Sequence, residues 1–218
     1  MKQLSHLIHL VLFSKAIMKN TKLEVERFYR KYMKHCIAPD IDSLKDYLAA
    51  AYSLNEKLRK ESKHNFFGCE EFITIKGLRN YYDHEAELYN ETRIIPTIKT
   101  GLLIDGSMFM CLVSTISVES AIKNLRRKDD EASMRSSLNF YGEVVDINIC
   151  LLNFAIRVYE KVLELNLDIQ TSEFLELKAS YDDEEENGLP HFISGEIYTH
   201  AGSMNHLIEK AFFDVAEY

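Results

Sequence analysis

Apolar positions recur every three to four residues along most of the chain, which is the spacing of amphipathic helices. From about Thr21 to Cys36, the residues Val25, Phe28, Tyr29, Tyr32, Met33 and Cys36 share one face, and Arg27, Arg30, Lys31 and Lys34 lie mostly elsewhere. Leu4 to Met18 reads as a preceding helix or as an extension of this one. Pro39 and Asp40 break the chain. Asp42 can cap a second helix running to about Lys63, striped by Leu44, Tyr47, Leu48, Ala51, Leu54 and Leu58. Gly68 punctuates again. A third helix is predicted from Glu70 to about Tyr89, despite Gly77, with Phe72, Ile75, Leu78, Tyr82, Ala86 and Tyr89 on its buried side.

After Pro96 the period changes. Leu102 to Ile104, Asp105-Gly106 and Ser107 to Thr115 read as a β-hairpin, since Asp-Gly supplies the positive φ angles of a tight turn. Asp129, Asp130 and Glu131 then open what reads as the longest helix, to about Leu165, with Leu138, Tyr141, Val145, Leu152, Tyr159 and Val162 at helical spacing. So apolar a helix belongs at the centre of a bundle. Residues 171–180 fit helix or strand, Asp182 to Glu186 reads as an acidic loop, and Ser203 can cap a final helix bearing Leu207, Ile208, Ala211, Phe212 and Val215. The predicted fold is therefore mainly α, a helical bundle with a β-hairpin insertion. It is read as a single domain over 1–218, with a core bundle at 20–165, the hairpin at about 102–115 and an acidic C-terminal extension at 166–218.

Composition sharpens this picture. Eight Gly and three Pro in 218 residues are too few for an all-β fold of many tight turns, and 12 Tyr and 12 Phe fill a core that has no Trp. Cys36, Cys69, Cys111 and Cys150 are too far apart for a metal knuckle or a redox pair, so they read as reduced, mostly buried thiols in a cytoplasmic protein. The apolar run Leu7 to Phe13 is far short of a membrane span, and no small-x-small cleavage site follows it. The net charge of −8 is lopsided. Residues 1–128 carry 21 Lys+Arg against 15 Asp+Glu, and residues 129–218 carry 5 against 19. Such asymmetry fits nucleic-acid contact by the basic half, one half shielding the other, or simply a soluble acidic surface.

The chemistry concentrates in Leu78-Arg79-Asn80-Tyr81-Tyr82-Asp83-His84. At ~100° per residue with Phe72 at zero, the apolar side chains of this helix cluster between about 240° and 320°, while Asn80 falls near 80° and His84 near 120°. Asn80 and His84 therefore point away from the helix's own core, toward water or a partner. Arg79, near 340°, sits at the edge of the stripe. Histidine gives and takes protons near neutral pH, and a guanidinium can clamp a phosphate bidentately. RNA brings its own nucleophile, the 2′-hydroxyl, so its cleavage needs only an acid/base and an anion clamp. Residues five apart differ by about 140° around a helix, so a two-fold dimer would bring Arg79 and His84 into one cleft better than a monomer. The plainer reading is an i,i+4 surface ion pair between Arg79 and Asp83 beside a solvated histidine.

This string resembles the R-x(4–6)-H motif of the HEPN superfamily in its Arg-Asn-x-x-x-His form. The resemblance is motif-level at 79–84 and architectural over about 20–165. It implies a helical bundle, often dimeric, and a metal-independent ribonuclease of the kind found in toxin–antitoxin and phage abortive-infection systems. It implies His84 as acid/base, Arg79 as phosphate clamp and Asn80 as polar orienter, with no cofactor and no metal. The implied partners are RNA, a second copy of the chain and, in such systems, an antitoxin or regulatory protein. A non-catalytic module of the same type that binds RNA, a nucleotide or a protein is the alternative. Some members carry a tyrosine two residues after the histidine as a modification target; here Ala86 stands there.

Two basic runs are candidate RNA-backbone contacts: Lys57, Arg59, Lys60 and Lys63, and Lys123, Arg126, Arg127 and Lys128. Such runs are more often simply solvated helix ends. His6-x-x-His9 lacks an acidic or Cys partner, His84-Glu85 does not continue to a second His, and Asp182 to Glu186 lacks the alternating ligands of a calcium loop. That acidic stretch could instead mimic nucleic acid and quiet the basic half. His191, His200 and His206 show no ligand spacing.

Overall fold

The computed structural model describes residues 2–88, 90–96 and 107–195, with 2–18, 90, 93–96 and 107–108 as backbone alone. It is mainly helical, with one small antiparallel sheet. In chain order the elements are α1 (Lys2–Ile37), α2 (Ile41–Glu61), α3 (Glu70–His84), β1 (Asn90–Pro96), β2 (Ser107–Ser114), α4 (Thr115–Lys123), α5 (Lys128–Ser136), β3 (Asn139–Tyr141), β4 (Val144–Asp146), α6 (Asn148–Glu164) and α7 (Ser172–Glu186).

The core forms where α1, α2, α3 and α6 bring aromatic side chains together. Phe154 of α6 lies within 5.1–5.7 Å, ring centre to ring centre, of Phe28, Phe66 and Phe72. Each such fully buried side chain contributes roughly 1.5–3 kcal/mol relative to exposure. Two buried tyrosines satisfy their hydroxyls on the α6 backbone: Tyr29 donates to the Ala155 carbonyl (3.0 Å) and Tyr47 to that of Leu151 (2.9 Å). These bonds fix the register of α1 and α2 against α6, and burial holds both phenols well above their ordinary pKa.

Helix boundaries follow local chemistry. α1 is continuous from residue 2, yet Glu61 accepts from the backbone N–H and the hydroxyl of Thr21 (3.1 and 2.9 Å), the point from which the side-chain pattern is strongest. α2 is capped by Asp40 rather than Asp42. The Asp40 carboxylate accepts from the Ser43 N–H while the Ser43 hydroxyl accepts from the Asp40 N–H, closing a capping box. α2 ends at Glu61, with Ser62 as its C-cap. α3 stops at His84, short of the expected Tyr89, and by Asn90 the chain is already paired as a strand.

The largest departure from the sequence pattern lies at 129–165. The expected single helix is broken into α5, the β3–β4 hairpin and α6. Gly142 turns the hairpin at φ 74°, a left-handed conformation that glycine adopts without strain, and Val144-Val145 is a β-branched pair. The helical spacing of Leu138, Tyr141 and Val145 concealed this turn. α1 is the longest helix instead. The strand at 107–114 is present as β2, but its hairpin partner is β1, paired from Asn90↔Val113 to Pro96↔Ser107. The expected strand 102–104 and turn 105–106 lie outside the described residues, as do the final helix from Ser203 and His200 and His206. Asp182 to Glu186, expected as a loop, is the last turn of α7.

The sheet runs β1-β2-β4-β3. One face sends Cys111, Val113 and Val145 into the main core; on the other, Met110, Leu112 and Val144 form a small buried cluster with Tyr141. α7 joins the bundle through Phe174, which packs on Tyr29 of α1 (5.2 Å) and Tyr159 of α6 (5.4 Å). Among the described residues, no helix is long and apolar enough to cross a membrane.

Candidate active site

α3 carries the motif, and its two halves differ. In the first half Phe72, Ile73, Thr74, Ile75, Gly77 and Leu78 are all buried, so the helix is covered over most of its surface, with Glu70 exposed and Lys76 half-buried. Gly77 permits this: a Cβ there would stand 3.0 Å from the Met134 sulfur of α5 and 3.5 Å from the Leu125 side chain. From Arg79 onward the side chains are half-buried or exposed, and the motif lies where the helix emerges from the bundle.

Arg79 is tightly engaged. Its Nη2 lies 2.6 Å from the Asp83 carboxylate, one helical turn on. Its Nη1 donates a long hydrogen bond (3.4 Å) to the Asn80 amide oxygen, and the guanidinium carbon sits 4.6 Å from the centre of the Tyr52 ring of α2. Tyr52 in turn stacks on Phe72 (6.5 Å, 15° between planes). His84, the last residue of α3, is exposed. Arg79 thus turns toward α2, while His84 stands about 140° around the helix. Among the described residues, Arg79 is held by Asp83, Asn80 and Tyr52 and makes no hydrogen bond to His84.

Two other helices frame the motif. On the α2 side, the Lys45 ammonium lies 4.6 Å from the Tyr82 ring centre, and the Tyr82 hydroxyl is pushed up to about 12 by its hydrogen bond to Glu87 and by burial. On the α4 side, the Tyr81 hydroxyl meets the Ser117 hydroxyl at 3.4 Å. Glu85, next to His84, accepts from Ser120 and from the Asn124 amide.

These contacts separate the two basic runs. Asn124 reaches Glu85, the C-cap of α3, and Leu125 packs near Gly77, so the segment that carries Lys123 and Arg126 runs beside the motif. Among the described residues, exposed Lys123, Arg126 and Lys128 make no ion pair, while Arg127 is shared between Asp129 (3.6 Å) and Asp130 (3.8 Å). The other run points away. α2 meets Arg79 at Tyr52, and Lys57 and Lys60 lie about 7 and 12 Å farther along the helix, toward the other end of α3. Lys57 is also paired with Glu61 (3.3 Å) and Arg59 with Glu56 (2.8 Å); Lys60 and Lys63 are exposed.

The residues invisible from the motif are Tyr52 and Lys45, 27 and 34 positions before Arg79. Neither stands out in a sequence already rich in tyrosine and lysine. A separate cleft of about 530 Å³ opens at the N-terminal end of α3, lined by Cys69, Glu71, Arg157 and Glu164 among others, and contains no motif residue. Burial and the neighbouring Glu71 push the Cys69 thiol up to about 12. Among the described residues, no group of three or more His, Cys, Asp or Glu side chains could hold a metal ion. Compared with known proteins, the chain matches no family model, no curated protein and no solved structure.

Proposed function

We propose that the chain is a metal-independent RNA endonuclease of the HEPN type, working as a homodimer in defence or growth arrest. The observation that carries this reading is the motif's placement: Arg79, Asn80 and exposed His84 sit where α3 leaves the core, beside the α4–α5 corner, whose exposed Lys123, Arg126 and Lys128 make no ion pair among the described residues. In the proposed reaction His84 takes the proton of a ribose 2′-hydroxyl. The 2′-oxygen attacks phosphorus, the bond to the 5′-oxygen breaks, and that oxygen is protonated by the second copy's histidine. Arg79 stabilises the extra charge on the phosphoryl oxygens. The products are a 2′,3′-cyclic phosphate and a 5′-hydroxyl. An antitoxin or regulatory protein would restrain such an activity in the cell.

RNA incubated with the protein in EDTA tests the mechanism. His84→Ala is expected to lower the cleavage rate at least about 100-fold, the usual scale of a lost acid/base. A strict Mg²⁺ requirement, or cleavage unchanged by His84→Ala, would overturn it. A second reading is favoured by the ion pair that already occupies Arg79: a non-catalytic module that binds RNA, a nucleotide or a protein. It expects RNA to be bound and left intact, with no effect of His84→Ala.

A further inference from the structure

We infer that Asp83 is the anion a substrate phosphate must displace from Arg79, and that Tyr52 is the positioning residue that keeps the guanidinium in place during the exchange. The inference deepens the ribonuclease reading and rests on it.

Three groups hold the guanidinium from different directions. Asp83 takes one edge at 2.6 Å, the Asn80 amide oxygen reaches another nitrogen at 3.4 Å, and the Tyr52 ring lies against it at 4.6 Å. A carboxylate and a phosphate use the same donor fork of arginine, so they compete for it. The ion pair is open to such competition, because both partners retain about a third of their side-chain exposure (30% and 29%). The ring's hold does not depend on either anion. Tyr52 is braced on buried Phe72, on the side of α3 enclosed by α2. When the carboxylate leaves and a phosphate arrives, the cation therefore stays on the same platform. An ion pair about a third exposed is weak enough for this exchange and strong enough to oppose it.

The test is binding of a fluorescent single-stranded RNA to the full chain in EDTA, with cleavage followed in parallel. Asp83→Asn is expected to tighten RNA binding about two- to fivefold, the range of an exposed ion pair released. That gain should vanish in an Arg79→Ala background, since a carboxylate that merely repels RNA through space would act with or without Arg79. Tyr52→Leu is expected to weaken binding and raise KM, while Tyr52→Phe, which keeps the ring, should behave as wild type. Matching circular dichroism and Tm across the set would show that the fold is retained. If the protein binds no RNA at all, the ribonuclease reading fails and takes this inference with it. If RNA binds and Arg79→Ala weakens it, yet Asp83→Asn and Tyr52→Leu leave affinity unchanged, only this inference is overturned. A gain from Asp83→Asn that persists without Arg79 overturns it as well.

Discussion

Two buried side chains, Asp146 and His35, have opposite titration behaviour. Asp146 is 3% exposed, and its Oδ1 accepts from the backbone N–H groups of Cys111 (2.9 Å) and Asn148 (3.0 Å). Burial outweighs these two bonds and pushes the carboxyl up to about 6. An acid whose folded pKa exceeds its unfolded value near 3.9 stabilises the fold fully below about pH 4, and that contribution is lost as pH rises through 6. Asp146→Asn keeps an oxygen acceptor without the charge. The stability of wild type relative to this variant should fall by up to roughly 3 kcal/mol between pH 4 and 7.5, measured by urea unfolding at each pH. His35 runs the other way. The Ser43 hydroxyl donates to the Asp40 carbonyl, so the His35 ring must donate to Ser43 from Nδ1 (2.8 Å), and Nε2 is left buried without a partner among the described residues. Burial lowers its pKa, although Asp40 pulls it back in part. A base depressed in the fold stabilises above its unfolded pKa near 6.5 and loses that contribution as pH falls through its folded value. His35→Gln should therefore flatten the loss of Tm between pH 7 and 5; an unchanged slope would show that His35 does not titrate there.

At the level of elements, glycine sets how closely segments approach. A Cβ on Gly77 would already crowd the Met134 sulfur, so a branched side chain must displace the Met134 side chain or push α5 outward. Gly77→Val should cost about 1–3 kcal/mol, and Met134→Ala should recover part of that loss in the double variant, read by chemical denaturation. Gly195 is stricter. It has φ 70°, and an added Cβ would lie 2.1 Å from the Ile149 side chain and 2.3 Å from the Asn139 amide. Gly195→Ala should therefore lower Tm without the compensation available at Gly77. These positions also show what the sequence could and could not reveal. The stripes of α2 and α3 and the strand at 107–114 were readable, because burial on one face leaves a period. The cap of α2 fell two residues early, since Asp40 and Asp42 are equally good capping side chains and only the reach to Ser43 decides between them. The β3–β4 hairpin was hidden because its apolar residues keep helical spacing with their neighbours, and one glycine was the only sign of the turn. Tyr52 was out of reach altogether: it meets Arg79 only because α2 packs against α3.

Across the whole molecule, charge is sorted by helix rather than by a single boundary. The acidic α7 docks on α1 and α6 through Phe174, Tyr159 and Tyr181. Its carboxylates pair locally, Asp182 with Lys178 and Glu184 with His191, and among the described residues none forms an ion pair with either basic run. Among the described residues, Lys60 and Lys63 of one run and Lys123, Arg126 and Lys128 of the other are exposed without an ion pair, but only the second run stands at the motif. That makes the ribonuclease reading directional: RNA phosphates should track from Lys123, Arg126 and Lys128 toward His84, while Lys60 and Lys63 lie near the far end of α3. Reversing Lys123 and Arg126 to Glu should weaken binding of single-stranded RNA and lower the slope of log K against log salt by about 0.7 for each phosphate that the protein no longer neutralises. Reversing Lys60 and Lys63 imposes the same change in net charge at the other end and should leave the slope nearly unchanged. Using two pairs of equal charge separates a local track from bulk attraction to a polyanion, because bulk attraction weakens equally in both. Equal losses in the two variants would mean that RNA reads only the overall field, and the α4–α5 corner would then have no special part in leading a phosphodiester to His84.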